Sequence, residues 1–307
     1  MLRVFGITYD HTVNYGSCFQ AYALQNAVEG TILTDGAGCK YQLIPVRNCE
    51  DWPVQMSWKR ILVLPFVKLH HQRFAEFESK NINFVPIRRI QDFPILNKDS
   101  DVFVCGSDVI WNPDENKNIE AFYLNFAEKY KFSYAASFGK AEVSETTKDF
   151  IRRNLITFNS LSVRESSGVD IINSCIDYPS PIRLVCDPVV LLKSVDWEKL
   201  IISNDPKVNN KYIFVYITHL STSVQTFIKR LGQETGYKIV YAAYGPKQAL
   251  KQGMLQVQTP EKWLQLLHDA EYVVTNSFHA TVFSVLFHKK FFTANCKCKL
   301  DTRTVEI

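Results

Sequence analysis

The sequence predicts an α/β protein built from two parallel-sheet domains. Three observations carry that expectation. Short apolar runs of strand character alternate with helical stretches, and strict β–α alternation argues for a parallel sheet with helices on both faces. The runs break off into small polar residues, as at Gly106-Ser107-Asp108 and Asn276-Ser277. A polar, proline-containing stretch from Ser203 to Asn210 interrupts the alternation and reads as a linker. The expected domains are therefore residues 1–205, with an insertion near 50–100, and 206–307.

The elements follow in order. Leu2 to Thr8 is the first strand, and Ser17 to Glu29 a helix with Phe19, Ala23, Leu24 and Ala27 as apolar positions and Ser17 as its cap. Tyr41 to Pro45 is a second strand. Residues 50–100 carry Trp52, Trp58, the His70-His71 pair and Arg88-Arg89 with weak helical periodicity, and read as an excursion or lid. Asp101 to Cys105, Lys131 to Ala136 and Leu161 to Val163 are further strands. In the second half, strands at Tyr212–Tyr216, Lys238–Tyr241, Tyr272–Thr275 and Lys290–Thr293 alternate with helices. Those helices run from Ser221 to Glu234, from Thr259 to Asp269 with Pro260 in the first turn, and from Ala280 to Phe287.

Composition narrows the function classes. Apolar residues make up 46% and charged residues 21% of the 307, ordinary for a soluble globular protein. A net charge of +4, without a massed basic face, excludes a nucleic-acid signature. The best membrane candidate, Ile61 to Leu69, is short and holds Pro65 and Lys68, whereas a span needs roughly 20 apolar residues. The apolar start of the chain is too short for a secretory signal, so the expected location is cytoplasmic, with at most peripheral membrane association. Most of the eight cysteines are then expected to be reduced, with Cys105 and Cys186 in the core. Cys296 and Cys298 lack a second pair at zinc spacing, so no metal is expected.

Four turns past strand ends carry candidate chemistry, because open α/β sheets bind ligands at the carboxyl ends of their strands. In Asn14-Tyr15-Gly16-Ser17, glycine permits close approach and a helix start offers N–H groups to an anion. The loop is not a GxGxxG dinucleotide motif, so NAD and FAD are not indicated. Past Cys105, Asp108 is a candidate acid/base or hydroxyl binder, and Trp111 with Asn112 a candidate acceptor surface; the alternative places Trp111 in the core. Arg164 can grip a phosphate or carboxylate through two N–H groups, or else pair with Glu165 at the surface. His279, in Asn276-Ser277-Phe278-His279, can move protons near neutral pH, or it is a hydrogen-bonded bystander beside a Ser277 cap. Asp187-Pro188 reads as structural.

Taken together and in order, these segments resemble the polysaccharide pyruvyl transferase family. The likeness runs through Asn14 to Leu24, Gly106-Ser107-Asp108 with Trp111-Asn112-Pro113, Tyr134 to Gly139, Ser162-Val163-Arg164-Glu165 with Gly168-Val169, Asp187-Pro188, and Thr275 to Thr281. The resemblance implies two Rossmann-like domains in a GT-B arrangement. It further implies phosphoenolpyruvate as co-substrate, a pair of sugar hydroxyls as acceptor, a pyruvate ketal on a cell-surface glycan precursor as product, and no metal or other cofactor. The acceptor is expected to be a nucleotide- or lipid-linked sugar.

The expected roles are His279 as general acid/base and Arg164 as the donor's anion binder, with N–H donors from Asn14, Gly16, Ser17 and the helix start at Ser277. Asp108 would orient or deprotonate an acceptor hydroxyl. Many members carry Arg-Leu-His where this chain has the variant Ser277-Phe278-His279. Serine cannot replace that arginine's charge. The chain also stops at Ile307, before a helical tail that the family carries, so the expected second domain lacks that closure. Two other readings remain beside the first: a GT-B glycosyltransferase using a nucleotide sugar, and a non-catalytic carbohydrate- or nucleotide-binding relative.

Overall fold

The computed structural model describes residues 1–49, 64–112, 119–201, 211–218, 220–243 and 258–294. The first half contains β1 (Leu2–Ile7), α1 (Tyr15–Glu29), β2 (Cys39–Leu43), α2 (Leu64–Asn81), β3 (Val102–Cys105), α3 (Ile119–Phe122) and β4 (Tyr130–Ser133). It continues through α4 (Glu145–Leu155), β5 (Ser162–Val163), α5 (Ser166–Cys175), β6 (Arg183–Leu184) and α6 (Ser194–Glu198). The second half holds β7 (Tyr212–Tyr216), α7 (Thr222–Thr235), β8 (Lys238–Ala242), α8 (Pro260–His268), β9 (Tyr272–Thr275), α9 (Phe278–Leu286) and β10 (Lys290–Thr293).

Each half is organised by a four-stranded parallel sheet, ordered β2-β1-β3-β4 in the first and β10-β9-β7-β8 in the second. The β5–β6 pair extends the first sheet through the bridges Phe132–Ser160 and Ala136–Val163. All five positions of β7 are buried, as a central strand covered on both faces requires. The expected linker, 203–210, lies outside the described residues, as do Cys296 and Cys298.

Helix α1 joins the two halves. Its residues Ala21 and Leu24 pack with Val4, Tyr41 and Leu43 of the first sheet. Its Tyr15, Phe19 and Ala23 share a second cluster with Trp197, Trp263 and Phe283. Phe19 is fully buried, and its ring meets those of Phe77, Trp197, Trp263 and Phe283 at 5.2–5.8 Å. A helix apolar on most sides is a core helix.

Three expectations are corrected. Asn14, not Ser17, caps α1: its side chain accepts the Gly16 N–H, so the helix starts two residues early, at Tyr15. Cys186 is exposed, because it follows an edge strand whose two residues are both exposed. The excursion near 50–100 is not a lid over its described part. Phe74 and Phe77 of α2 belong to the cluster that joins the halves, and α2 packs on α8 and α1.

Because Phe19 touches aromatic rings from both halves, Phe19→Ala is expected to cost about 3–5 kcal/mol in urea unfolding. A loss under about 1 kcal/mol would show that α1 does not carry the junction.

Candidate functional site

The carboxyl ends of β1, β3 and β5 and the start of α9 converge on one buried cluster. Its centre is Asp187, which follows β6. One carboxylate oxygen, Oδ1, accepts the Val189 N–H at 3.1 Å and caps the 3₁₀ turn Pro188–Leu191. The other, Oδ2, accepts from Arg164 Nη1 at 2.6 Å and Ser107 Oγ at 2.9 Å, and stands 3.5 Å from His279 Nε2. That separation is long for a hydrogen bond, and His279 Nε2 has no hydrogen-bond partner among the described residues.

Arg164 comes from the first half and His279 from the second. Their side chains are 2% and 9% exposed, and that of Asp187 is 1% exposed. The Arg164 guanidinium also lies 4.5 Å over the Phe278 ring, a cation–π contact across the two halves. Its Nε sits 3.5 Å from Glu165 Oε1, and among the described residues neither Nε nor Nη2 makes a hydrogen bond. Buried donors are almost always satisfied, so two open N–H-bearing nitrogens in this cluster mark a place for an acceptor.

Asp108 follows β3 with a left-handed φ of 75°, unusual for a residue with a side chain. Its Oδ2 accepts from Ser17 Oγ at 2.6 Å and its Oδ1 from the Val109 N–H at 2.9 Å. Burial pushes both aspartates up. At Asp108, Arg164, His279 and the Ser17 hydrogen bond outweigh it and hold the carboxyl below its ordinary value. At Asp187, His279 and Arg164 outweigh it and hold the carboxyl well below. Both are carboxylates at neutral pH.

Helix α9 begins at Phe278 because Ser277 caps it, accepting the Ala280 N–H at 3.5 Å. Asn276 Oδ1 accepts the Thr218 N–H at 2.9 Å and pins the end of β9 to the end of β7. The His279 ring lies against Gly16, where an added Cβ would sit 2.0 Å from Nδ1. Only glycine fits there.

A model of the polysaccharide pyruvyl transferase family matches residues 14–296. The chain belongs to that family. No curated protein sequence matches it. Among solved structures, the S. aureus MnaA–UDP co-structure aligns with a TM-score of 0.54 at 9% identity, covering 96% of this chain and 80% of that one. UDP-GlcNAc 2-epimerase from Methanocaldococcus jannaschii aligns at 0.53 and 12% identity, over 99% and 86%. Anabaena Alr3699/HepE in complex with UDP and glucose aligns at 0.50 and 10%, over 96% and 81%. These likenesses show the fold, parallel sheets in a GT-B-type, Rossmann-like arrangement.

In this pyruvyl transferase family member, His279, Arg164, Asp108, Ser17 and Gly16 come together. Asn14 and Ser277 act as helix caps, and the Gly16 N–H is taken by Asn14. The acceptor surface expected at Trp111 and Asn112 is corrected. Trp111 is fully buried, stacked 5.4 Å from Tyr123 and packed on Phe138 and Phe158, and Asn112 is buried beside it. Neither presents a face to a sugar. Sequence reasoning missed Asp187 as a site residue. The signal for it was an Asp-Pro just past a strand.

Replacing Asp187 with Asn removes the nearer of the two carboxylates beside the buried Arg164, leaving Glu165 at 3.5 Å, and is expected to cost about 3–5 kcal/mol at neutral pH. The native carboxyl's pKa is depressed, so its contribution is present above the ordinary carboxyl value and fades as pH falls through the folded value. The wild-type-to-variant gap in chemical unfolding should therefore be widest near neutrality and narrow below about pH 4. A gap independent of pH would contradict the charge pairing.

Proposed function

We propose that the chain transfers the pyruvyl group of phosphoenolpyruvate to two hydroxyls of a sugar, forming a ketal and releasing phosphate. The observation that carries this reading is the cluster in which Arg164, with two unsatisfied nitrogens, and His279 meet from opposite halves of a pyruvyl transferase family fold. The donor is a trianion-forming phosphate ester with a carboxylate. Its oxygens would accept from Arg164 Nε and Nη2 and from the first-turn N–H groups of α9 other than that of Ala280, which the Ser277 cap takes.

The chemistry needs a proton on the donor's methylene carbon and protons removed from two hydroxyls. His279 gives the carbon its proton as the first hydroxyl oxygen bonds to the neighbouring carbon. The second hydroxyl then displaces phosphate from that carbon. One hydroxyl proton restores His279 and the other leaves with phosphate, so the balance closes without a redox partner. Asp187 keeps the imidazole and the guanidinium on the donor. Asp108, held ionised and bonded to Ser17, orients rather than protonates. The acceptor would be a nucleotide- or lipid-linked precursor of a surface glycan, at the cytoplasmic side.

A second reading has one specific support: several structural neighbours are complexes with UDP or a UDP-sugar, among them S. aureus MnaA with UDP and Anabaena HepE with UDP and glucose. On that reading the chain is a glycosyltransferase and phosphoenolpyruvate is not its donor.

Isotope-labelled phosphoenolpyruvate separates the two. Label in the sugar product with equimolar phosphate release is expected, and His279→Ala should lower turnover by about 10²–10⁴-fold with donor affinity nearly unchanged. Sugar transfer from a nucleotide sugar with no label incorporated would overturn the proposal.

A further inference from the structure

The two aspartates of the cluster are each held by a serine hydroxyl. Ser17 Oγ donates to Asp108 Oδ2 at 2.6 Å, and Ser107 Oγ to Asp187 Oδ2 at 2.9 Å. The serines belong to different elements, Ser17 to the first turn of α1 and Ser107 to the turn past β3. One side chain, Gln20 of α1, holds the backbone of both. Its Nε2 donates to the Ser17 carbonyl at 3.0 Å, and its Oε1 accepts the Ser107 N–H at 3.1 Å.

The sheet explains why that side chain is needed. The β1–β3 register ends at the pair Ile7–Cys105, and the Gly106 N–H still reaches the Ile7 carbonyl at 3.0 Å. Ser107 follows, fully buried, and buried backbone groups need partners. Side chains supply them. Gln20 takes the N–H, and the Thr8 hydroxyl donates to the Ser107 carbonyl at 2.7 Å. The same hydroxyl accepts from Gln20 Nε2 at 3.0 Å.

Gln20 is itself fully buried, with its carbonyl oxygen and both its N–H groups engaged. Its backbone partners decide which way the amide faces, because an N–H only donates and a carbonyl only accepts. Turning it would leave buried groups unpaired. On the far side of the turn, the Ser137 N–H donates to the Asp108 carbonyl at 3.0 Å. The turn is thus held against β4 on one side and, through Gln20, against α1 on the other. Helix α1 also carries Gly16, on which the His279 ring rests.

We propose that Gln20 is a positioning residue for the transfer reaction. By keeping Ser17 and Ser107 in one register, it fixes Asp108 against the acceptor hydroxyl and Asp187 against Arg164 and His279. The proposal rests on the pyruvyl-transfer reading. The amide takes no proton and touches no substrate; it acts through the two serines. Arg164 also bonds Asp187 directly, so its grip on the donor does not depend on Gln20.

The test uses the full chain, labelled phosphoenolpyruvate, and UDP-N-acetylglucosamine and UDP-galactose as acceptor probes. Gln20→Met keeps the length of the side chain and removes its three hydrogen bonds. Well below its own melting temperature it should lose about 10–10²-fold in kcat, with the phosphoenolpyruvate Kd within about threefold of wild type. A glutamine that served folding alone would lower the melting temperature and leave kcat of the folded enzyme within about threefold. In a Ser17→Ala, Ser107→Ala background, Gln20→Met should cost less than about threefold more, because the hydroxyls it places are already gone. Where Gln20→Met does not fold, Gln20→Glu is read in the same way; as a carboxylate it keeps the acceptor for the Ser107 N–H and loses both donors. A crystal structure of the variant gives a reading without turnover: Ser17 Oγ or Ser107 Oγ should lie beyond about 3.5 Å from its aspartate. Both serines unmoved, kcat within about threefold of wild type, or the full further loss in the alanine background overturns the proposal. If the wild type incorporates no label from phosphoenolpyruvate, the transfer reading falls, while the variant structure still decides whether Gln20 sets the serines.

Discussion

One carboxylate ties the two halves together. Asp187 takes a guanidinium from the first half on the same oxygen that faces an imidazole from the second. Removing such groups from water costs several kcal/mol per charge, and the pairing recovers it only when geometry is tight and remaining donors are satisfied. Here they are not all satisfied: among the described residues nothing accepts from Arg164 Nε or Nη2. A fold selected for stability alone would have filled that position with apolar side chains. The surrounding features depend on the arrangement, including the glycine against which His279 lies and the Ser107 hydroxyl that shares the Asp187 oxygen.

Much of the second half was legible because local signals agreed with the tertiary outcome. Strand β7 is a continuous apolar run in a fully covered strand, and Ser221 and Thr259 cap their helices as their positions suggest. In the first half, α4 and α5 were not anticipated. Helix α4 is polar over most of its surface and buries only Ile151 and Leu155 beside the sheet, too thin a stripe to stand out in sequence. The early start of α1 was hidden because Asn14, Gly16 and Ser17 all suit a helix start, and only the Asn14–Gly16 bond decides among them.

The candidate site was readable where a residue's position alone points to it. His279, Arg164, Asp108 and Ser17 each follow a strand or open a helix. Asp187 escaped because its local task, capping the turn at Val189, fully explains an Asp-Pro, while its second oxygen works with partners distant in sequence. Trp111 misled in the opposite direction. A tryptophan beside a strand-end turn suits a stacking platform, yet the helix end at Phe122–Tyr123 closes over it.

The most direct test is a crystal structure of the chain with phosphoenolpyruvate. A donor phosphate or carboxylate oxygen is expected about 2.7–2.9 Å from Arg164 Nη2 or Nε, with the methylene carbon facing His279. A donor anion bound away from both, with Arg164 still sealed against Asp187 and its two nitrogens still open, would contradict it.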